Sequence, residues 1–281
     1  MKKGKFIFIL AVILTVMAGL YYYASYYGVV DTSGSDIGIS AGQAILIDGD
    51  TGDVLYEKAS DEKAYPASTT KIITALITLE MLDKYQSPIK QLVEVPQIAE
   101  GVEGSSIYLK AGEKISIEDL LYGLMLVSGN DAACALAEII GGSQEEFVQM
   151  MNDKARELGC QNTHFTNPNG LFDENHYTTA RDMALIAKAA MEHPEFRKIV
   201  GARSWKATSR ERDYVHFANK NKTIHQYEGG NGIKIGYTEN SGRTLVASAQ
   251  RGSEFMICVV MSAPDWFNDA YKLMDYGFGG E

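Results

Sequence analysis

The sequence is short of cysteine, of positive charge and of repetition. Only three cysteines occur, Cys134, Cys160 and Cys258, and no two form a CxxC pair. That excludes the dense disulfide framework of a small secreted scaffold. Cys134 lies in Ala132-Ala133-Cys134-Ala135-Leu136 and Cys258 in Met256-Ile257-Cys258-Val259-Val260, so both read as small core residues. The five histidines show no zinc-type spacing; neither a metal nor a cofactor is expected. Lysine and arginine number 26 against 36 aspartates and glutamates, a net charge of −10. A nucleic-acid binder needs a basic face to displace counterions from phosphate, so no nucleic-acid partner is expected. The same deficit argues against polybasic attachment to an anionic bilayer. Repeats and low-complexity tracts are missing as well.

Hydrophobic residues make up 46% and charged residues 22% of the 281, the balance of a globular chain. Lys2, Lys3 and Lys5 precede an uncharged stretch from Phe6 to Tyr27. Positive charge followed by an apolar run reads as an export signal with the lysines left in the cytoplasm. The run is long enough to span a bilayer, which takes about 20 residues. Tyr21, Tyr22, Tyr23, Tyr26 and Tyr27 would form an aromatic belt at its outer end. Ala24-Ser25 is the best small-residue cleavage site and a poor one. Residues 1–27 are therefore expected to be a membrane anchor on the extracytoplasmic route, a cleaved signal peptide being the alternative. Residues 28–40, rich in Gly, Ser and Asp, read as a flexible linker. Residues 41–281 are expected to form the functional domain, with no second anchor before Glu281.

Within that domain, residues 43–48 and 53–57 flank a Gly/Asp turn and read as a β-hairpin. Ser68 to Tyr85 reads as a helix apolar around most of its circumference, hence buried. Short strands and loops are expected over 90–115, and helices near 116–127, 130–141, 143–158 and 179–192. Strand character returns at 205–208, 232–237, 244–250 and 255–262, before a helix over 266–276. Strands at both ends and helices between predict an α+β fold: an antiparallel sheet flanked by helices, with an inserted helical subdomain.

Three short motifs fall in this frame. In Ser68-Thr69-Thr70-Lys71 the spacing puts a hydroxyl and an amine on one helix face. A lysine neutralised by burial can take the serine proton. Ser60…Lys63 and Ser87…Lys90 share the spacing, but only Ser68 opens a long apolar helix, whose N-terminus also offers N–H groups to an oxyanion. A plain N-cap is the alternative reading of Ser68. Ser128-Gly129-Asn130 is the one Ser-x-Asn in the chain; it lies between apolar helices and can present a hydroxyl and an amide, or merely connect them. Lys234-Ile235-Gly236 sits in a strand, where a glycine lets a ligand backbone approach closely. Each motif is weak alone; the ordered set is the trio of the penicillin-binding proteins and class A β-lactamases.

With Ala44–Asp48, Pro66–Ile72, Val127–Ala133, Asn167–Leu171, Glu174–Ala180 and Gly232–Thr238, the sequence resembles the low-molecular-mass penicillin-binding proteins, the serine D-alanyl-D-alanine carboxypeptidases, from about Ser40 to Gly277. The resemblance implies that Ser68 attacks the peptide carbonyl before the terminal D-Ala of a peptidoglycan pentapeptide, and that β-lactams are trapped as slow acyl-enzymes. It implies Lys71 as general base, Ser128 as proton relay to the leaving D-Ala, and Asn130 as a donor-peptide contact. Lys234 would hold positive potential in the cleft and attract the terminal carboxylate, Gly236 would join it in substrate binding, and the N–H groups of Ser68 and Tyr237 would form the oxyanion hole. One departure stands out. Ile235 occupies a position where the family usually carries a carboxylate-binding threonine; Thr238, on the Lys234 face by period-2 parity, or Arg243 would have to substitute. The C-terminal domain and amphipathic anchor of many relatives are not expected here. A β-lactamase is set aside because no Glu-x-x-Leu-Asn segment lies between Asn130 and Lys234. A D,D-endopeptidase and a peptidoglycan-binding pseudoenzyme remain as alternatives, and His176 and His216 read as structural or cleft-lining.

Overall fold

Alternation along the strands decides how the sheet is covered. In the strand Gln43–Asp48 (β1), Ala44 and Leu46 point to one side and Ile45 and Ile47 to the other, and all four are buried. A strand apolar on both faces has to be sandwiched. The computed structural model describes residues 37–210 and 215–279; the expected anchor and the linker as far as residue 36 lie outside the described residues. Among the described residues no helix is long and apolar enough to cross a membrane.

After β1 a tight turn leads to β2 (Val54–Lys58), with Asp48 Oδ1 accepting the N–H groups of Asp50 and Thr51. A 3-10 turn, Ala67–Thr70, runs into helix α1 (Lys71–Lys84). Strands β3 (Leu92–Glu94) and β4 (Lys114–Ser116) pair with each other. Helices α2 (Ile117–Leu126), α3 (Asn130–Gly141), α4 (Gln144–Glu157), α5 (Ala180–Glu192) and α6 (Pro194–Val200) follow. A second small ribbon joins β5 (Ser204–Lys206) to β6 (His216–Ala218), and a short helix α7 (Thr223–Gln226) precedes the last strands. These are β7 (Gly230–Thr238), β8 (Gly242–Arg251) and β9 (Glu254–Met261), closed by helix α8 (Trp266–Gly277).

The main sheet runs β2-β1-β9-β8-β7 and is antiparallel throughout. One face, with Ala44, Leu46, Leu245, Ala247 and Val260, packs on Leu273 and Met274 of α8. The other, with Ile45, Ile47, Val246 and Val259, joins the large core of the helical lobe inserted between β2 and β7. This is the expected antiparallel sheet flanked by helices with a helical subdomain. All three cysteines are free and buried.

Three features depart from the sequence-based expectation. The helix begins as a 3-10 turn, because Pro66 O accepts both the N–H (3.1 Å) and the hydroxyl (2.7 Å) of Thr69. The strand expected at 205–208 is shorter and belongs to the small ribbon. Helices α6 and α7 are too short for periodicity to reveal, although Pro194 at the first position is a start signal.

Buried carboxylates in the first turns of helices fasten the loops. Ser116 and Thr179 cap α2 and α5 by accepting the N–H of Asp119 and Asp182. Asp119 in turn accepts from Trp205 Nε1 (2.6 Å) and Ser209 N (3.0 Å), and Asp182 from Asn162 N (2.8 Å) and Thr163 Oγ1 (2.7 Å). Asp131, 1% exposed on α3, accepts from Ser106 Oγ (2.6 Å), Leu109 N (3.0 Å) and Ile107 N. Asp131→Ala leaves those donors unpaired and is expected to cost about 3 kcal/mol of unfolding free energy, read from a shift of the denaturant midpoint. An unchanged midpoint would dismiss the loop-fastening role.

Candidate active site

Lys71 is wholly buried in the first turn of α1, one turn after Ser68. Its Nζ lies 3.0 Å from Ser68 Oγ, 2.7 Å from Asn130 Oδ1, and in hydrogen-bond contact with Asn169 O. Burial lowers its pKa from 10.5 to about 7, with Cys134 and Asp131 pulling the other way. A neutral amine has two N–H donors and one lone pair. Asn130 Oδ1 and Asn169 O can only accept, so they take the two N–H groups. The lone pair is left facing the Ser68 hydroxyl. The Asn130 orientation is fixed independently, since its Nδ2 donates to Glu103 O at 2.7 Å.

Each neighbour is delivered by a backbone device. The segment 167–171 is folded on itself: Gly170 N donates to Asn167 Oδ1 (2.7 Å), Leu171 N to Asn169 Oδ1 (2.9 Å), and Thr74 Oγ1 reaches Pro168 O (2.7 Å). Gly170 has φ +84°, and a Cβ there would stand 1.9 Å from Ala67 O, so only glycine lets this loop press against the Ser68 turn. His176 holds the same loop from behind. Its Nδ1 accepts Thr166 N–H (3.0 Å), so Nε2 carries the proton and donates to Thr70 Oγ1 (2.8 Å). Burial pushes its pKa down to about 3, so the ring is a neutral strut.

Ser128 follows the end of α2 with φ +67° and is 7% exposed. A non-glycine residue in the left-handed region costs about 1–2 kcal/mol, which the surroundings must supply. Asn130 N donates to Ser105 O (2.7 Å) on one side of the turn. On the other, Lys220 donates its N–H to Leu126 O (3.1 Å) and its Nζ to Val127 O (3.2 Å).

Strand β7 forms the free edge of the sheet and carries the third motif. A Cβ at Gly236 would meet Ser68 N at 2.9 Å and Thr244 Oγ1 at 2.5 Å, so β7 lies directly against the serine turn. Lys234 is 1% exposed; its Nζ donates to Ile235 O (2.9 Å), and burial, then Lys71 and Lys220, push its pKa well down. Ile235 packs with the α8 face of the sheet. Thr238 turns out to be engaged: its hydroxyl donates to Ser241 Oγ (2.9 Å) and accepts Ser241 N–H (3.0 Å). Exposed Tyr237 opposes Arg243 across β7 and β8, and Arg243 Nη1 donates to Pro264 O (2.6 Å) beside Trp266. A cavity of about 660 Å³ at this end includes Tyr237, Arg243 and Trp266 in its lining but not Ser68, Lys71 or Asn130. It lies beside the serine site.

Ser68, Lys71, Asn130, Lys234 and Gly236 therefore meet where sheet and helical lobe join, with Ser128 on the adjoining turn and Tyr237 and Thr238 further along β7. Sequence reasoning missed Asn169, whose contribution is a backbone carbonyl, and Lys220, a loop lysine outside any motif. It also overlooked a Gly-x-Ser-x-Gly match at Gly38–Gly42. Ser40 there donates to Asp269 Oδ2 (2.7 Å) and accepts Asp265 N–H (3.0 Å), tethering the start of α8. It is a cap, not a nucleophile.

The fold and the serine–lysine pair place the chain among proteins built like the solved DD-carboxypeptidases and DD-transpeptidases. The chain belongs to the D-alanyl-D-alanine carboxypeptidase family, Peptidase S11, whose model matches residues 30–265. It is 41% identical over 249 residues to D-alanyl-D-alanine carboxypeptidase DacF of Bacillus subtilis, covering 87% of this chain and 64% of the relative. The solved Streptomyces K15 DD-transpeptidase superposes with a TM-score of 0.79 at 32% identity, covering 86% of this chain and 98% of that one. DacD from Francisella tularensis superposes at 0.81 with 30% identity, covering 87% and 71%. The chain spans less than two thirds of the length of DacF and of Escherichia coli DacC, 64% and 60%.

Gly236→Ala is expected to push β7 off the serine turn. Labelling of Ser68 by a fluorescent penicillin should fall about tenfold or more with the circular dichroism spectrum unchanged, overpacking of this kind costing about 1–3 kcal/mol. Labelling at the wild-type rate would show that the close approach is not needed.

Proposed function

We propose that the protein is a serine D,D-carboxypeptidase acting on the extracytoplasmic face of the membrane, held there by residues 1–27. It removes the terminal D-Ala from peptidoglycan stem peptides. The observation that carries this reading is the wholly buried Lys71 amine 3.0 Å from the Ser68 hydroxyl, with the acceptors Asn130 Oδ1 and Asn169 O as its other partners. Lys71 takes the Ser68 proton as Oγ adds to the carbonyl of the penultimate D-Ala. The developing oxyanion is met by the N–H groups of Ser68 and Tyr237, each such donor being worth about 3 kcal/mol. Ser128 passes a proton to the leaving nitrogen, the C–N bond breaks, and D-Ala departs. Water then attacks the ester under the same base and frees Ser68. Asn130 holds the donor peptide, and Lys234 lines the cleft from β7. β-Lactams enter the first half of this cycle and stall as acyl-enzymes. The chemistry to the acyl-enzyme is common to hydrolysis and peptide transfer; with water as the acceptor the outcome is carboxypeptidase action.

The full chain should bind fluorescent penicillin covalently and release D-alanine from a diacyl-Lys-D-Ala-D-Ala peptide, and Ser68→Ala should do neither. Release that survives in Ser68→Ala would overturn the assignment. Below about pH 7 Lys71 is protonated and its lone pair is gone, so acylation should rise with pH through a limb near 7. Lys71→Arg, which cannot deprotonate, should lower the acylation rate by about 10³-fold and remove that limb. A flat profile in the wild type would rule out Lys71 as the base.

A further inference from the structure

Where β7 turns into β8, beside the serine cleft, lies the cavity of about 660 Å³. Nothing in the proposed reaction uses it. Tyr237 and Trp266 give its lining two aromatic faces, Asn240 an amide and Arg243 a guanidinium, and no carboxylate is among the lining groups.

Arg243 decides what such a cavity can hold. It is exposed, its Cζ lies 6.0 Å from the centre of the Trp266 ring, and its Nη1 donates to Pro264 O at 2.6 Å. A carbonyl fixes the guanidinium in place without neutralising it. One of its five N–H donors is used there, and the Nε–Nη2 edge has no partner among the described residues. The acids closest to the cavity in sequence leave it alone. Asp265 accepts from Asn268 Nδ2 through both oxygens, at 3.0 and 2.9 Å, and Glu239 stands outside the lining. A planar fork of donors, held still and unneutralised beside aromatic faces, suits a carboxylate carried on an organic chain.

The position of the cavity says where on a substrate that carboxylate sits, and here the inference rests on the carboxypeptidase reading. In that reading the scissile carbonyl lies at Tyr237 N–H and the leaving D-Ala lies toward Ser128. Lys234 feels the charge of Lys220, whose Nζ is bonded to Val127 O beside Ser128, so the Lys234 end of β7 is the leaving-group end. The retained part of the peptide therefore runs the other way, past Tyr237 and Thr238 toward the turn 239–241. β7 is an edge strand and offers that path a free backbone edge. Arg243 is the cross-strand partner of Tyr237, about 5 Å behind it. Two extended residues upstream of the scissile carbonyl cover about 7 Å, enough to bring a side group over the cavity. We propose that the cavity is a subsite for a carboxylate of the stem peptide upstream of the scissile bond, with Arg243 as the residue that selects for it. Two groups have this chemistry: the α-carboxylate of a γ-linked D-glutamate, and the side-chain carboxylate of a diaminopimelate in place of lysine. The C-terminal carboxylate departs with D-Ala at the opposite end and is not the ligand.

The test follows D-alanine release from three pentapeptides by full-length wild type, Arg243→Gln and Arg243→Lys. The first peptide carries γ-D-glutamate and lysine, the second D-isoglutamine and diaminopimelate, and the reference D-isoglutamine and lysine. Each of the first two thus differs from the reference by one carboxylate. Wild type should favour at least one of them over the reference by about fivefold in kcat/KM, mostly through KM, and the peptide favoured identifies the carboxylate bound. Arg243→Gln keeps a donor for Pro264 O but no charge, and should bring that ratio close to one. Arg243→Lys should keep part of it. The ratio is taken within one preparation, so a misfolded fraction of a variant does not alter it. A wild type without preference would overturn the proposal. So would a ratio undiminished in Arg243→Gln; if the three rates fell together, Arg243 would be a brace for the start of α8 and nothing more. Failure of the wild type to release D-alanine from any of the peptides would instead defeat the carboxypeptidase reading. Acylation by a penicillin whose acyl side chain ends in a carboxylate, against benzylpenicillin, would then decide for the subsite: a ratio that falls in Arg243→Gln supports it, and an unchanged ratio refutes it.

Discussion

A lysine amine buried with no access to water is the constraint on which the rest of the structure depends. An ammonium in that position would have lost its hydration without a counter-charge in contact, and the neutral form relieves the cost. Neutrality in turn limits the amine to two protons, both spoken for by Asn130 and Asn169. The Ser68 hydroxyl is what remains opposite the lone pair. Much of the local architecture serves that count. The 167–171 loop has to press on the serine turn, which requires Gly170; β7 has to press on it from the other side, which requires Gly236. His176 stays uncharged behind the loop and adds no second cation to the pocket.

The electrostatics run against the composition. A chain with a net charge of −10 gathers Lys71, Lys220 and Lys234 around one hydroxyl. Asp131, the acid whose charge reaches Lys71, is spent on structure, as are two other buried carboxylates. Asp119, Asp131 and Asp182 each sit at the start of a helix and accept from loop donors, which turns their charge toward backbone N–H groups. Three lysines thus come together inside an acidic chain, and the charges of Lys71 and Lys220 add to burial in lowering the Lys234 pKa.

The sequence carried most of the fold and the centre of the site, because both are written in side-chain pattern. Alternation marked β1, β8 and β9, and the buried helix after Ser68 was plain from its apolar circumference. The Ser68…Lys71 spacing stood out from two decoys through that context. What could not be read lacks a side-chain signature. Asn169 acts through a carbonyl that any residue has. Lys220 is an exposed loop lysine, distinguished only by which carbonyl its tip finds. Thr238 faces the expected way by parity, yet the three-residue turn 239–241 absorbs its hydroxyl through Ser241, a turn contact that strand alternation does not reveal. Helices α6 and α7 are shorter than the window that periodicity needs.

The pairing of β1 with β9 carries a consequence for the order of assembly. Gln43 meets Met261 and Asp48 meets Met256, so the second strand of the sheet waits for nearly the whole domain before its long edge is filled. The serine turn is made early in the chain, but Gly236 on β7, the strand that presses on it, comes 168 residues after Ser68. Contacts so distant in sequence close slowly. A nascent chain that has produced Ser68 and Lys71 therefore has the proposed nucleophile and base one turn apart, without the burial that lowers the Lys71 pKa and without the β7 wall. Reactivity arrives with the last strands, as an all-or-none property of the finished domain. An incompletely folded copy should be inert toward peptides, and its unfilled β1 edge is the place where a partner chain or a second copy would attach by mistake.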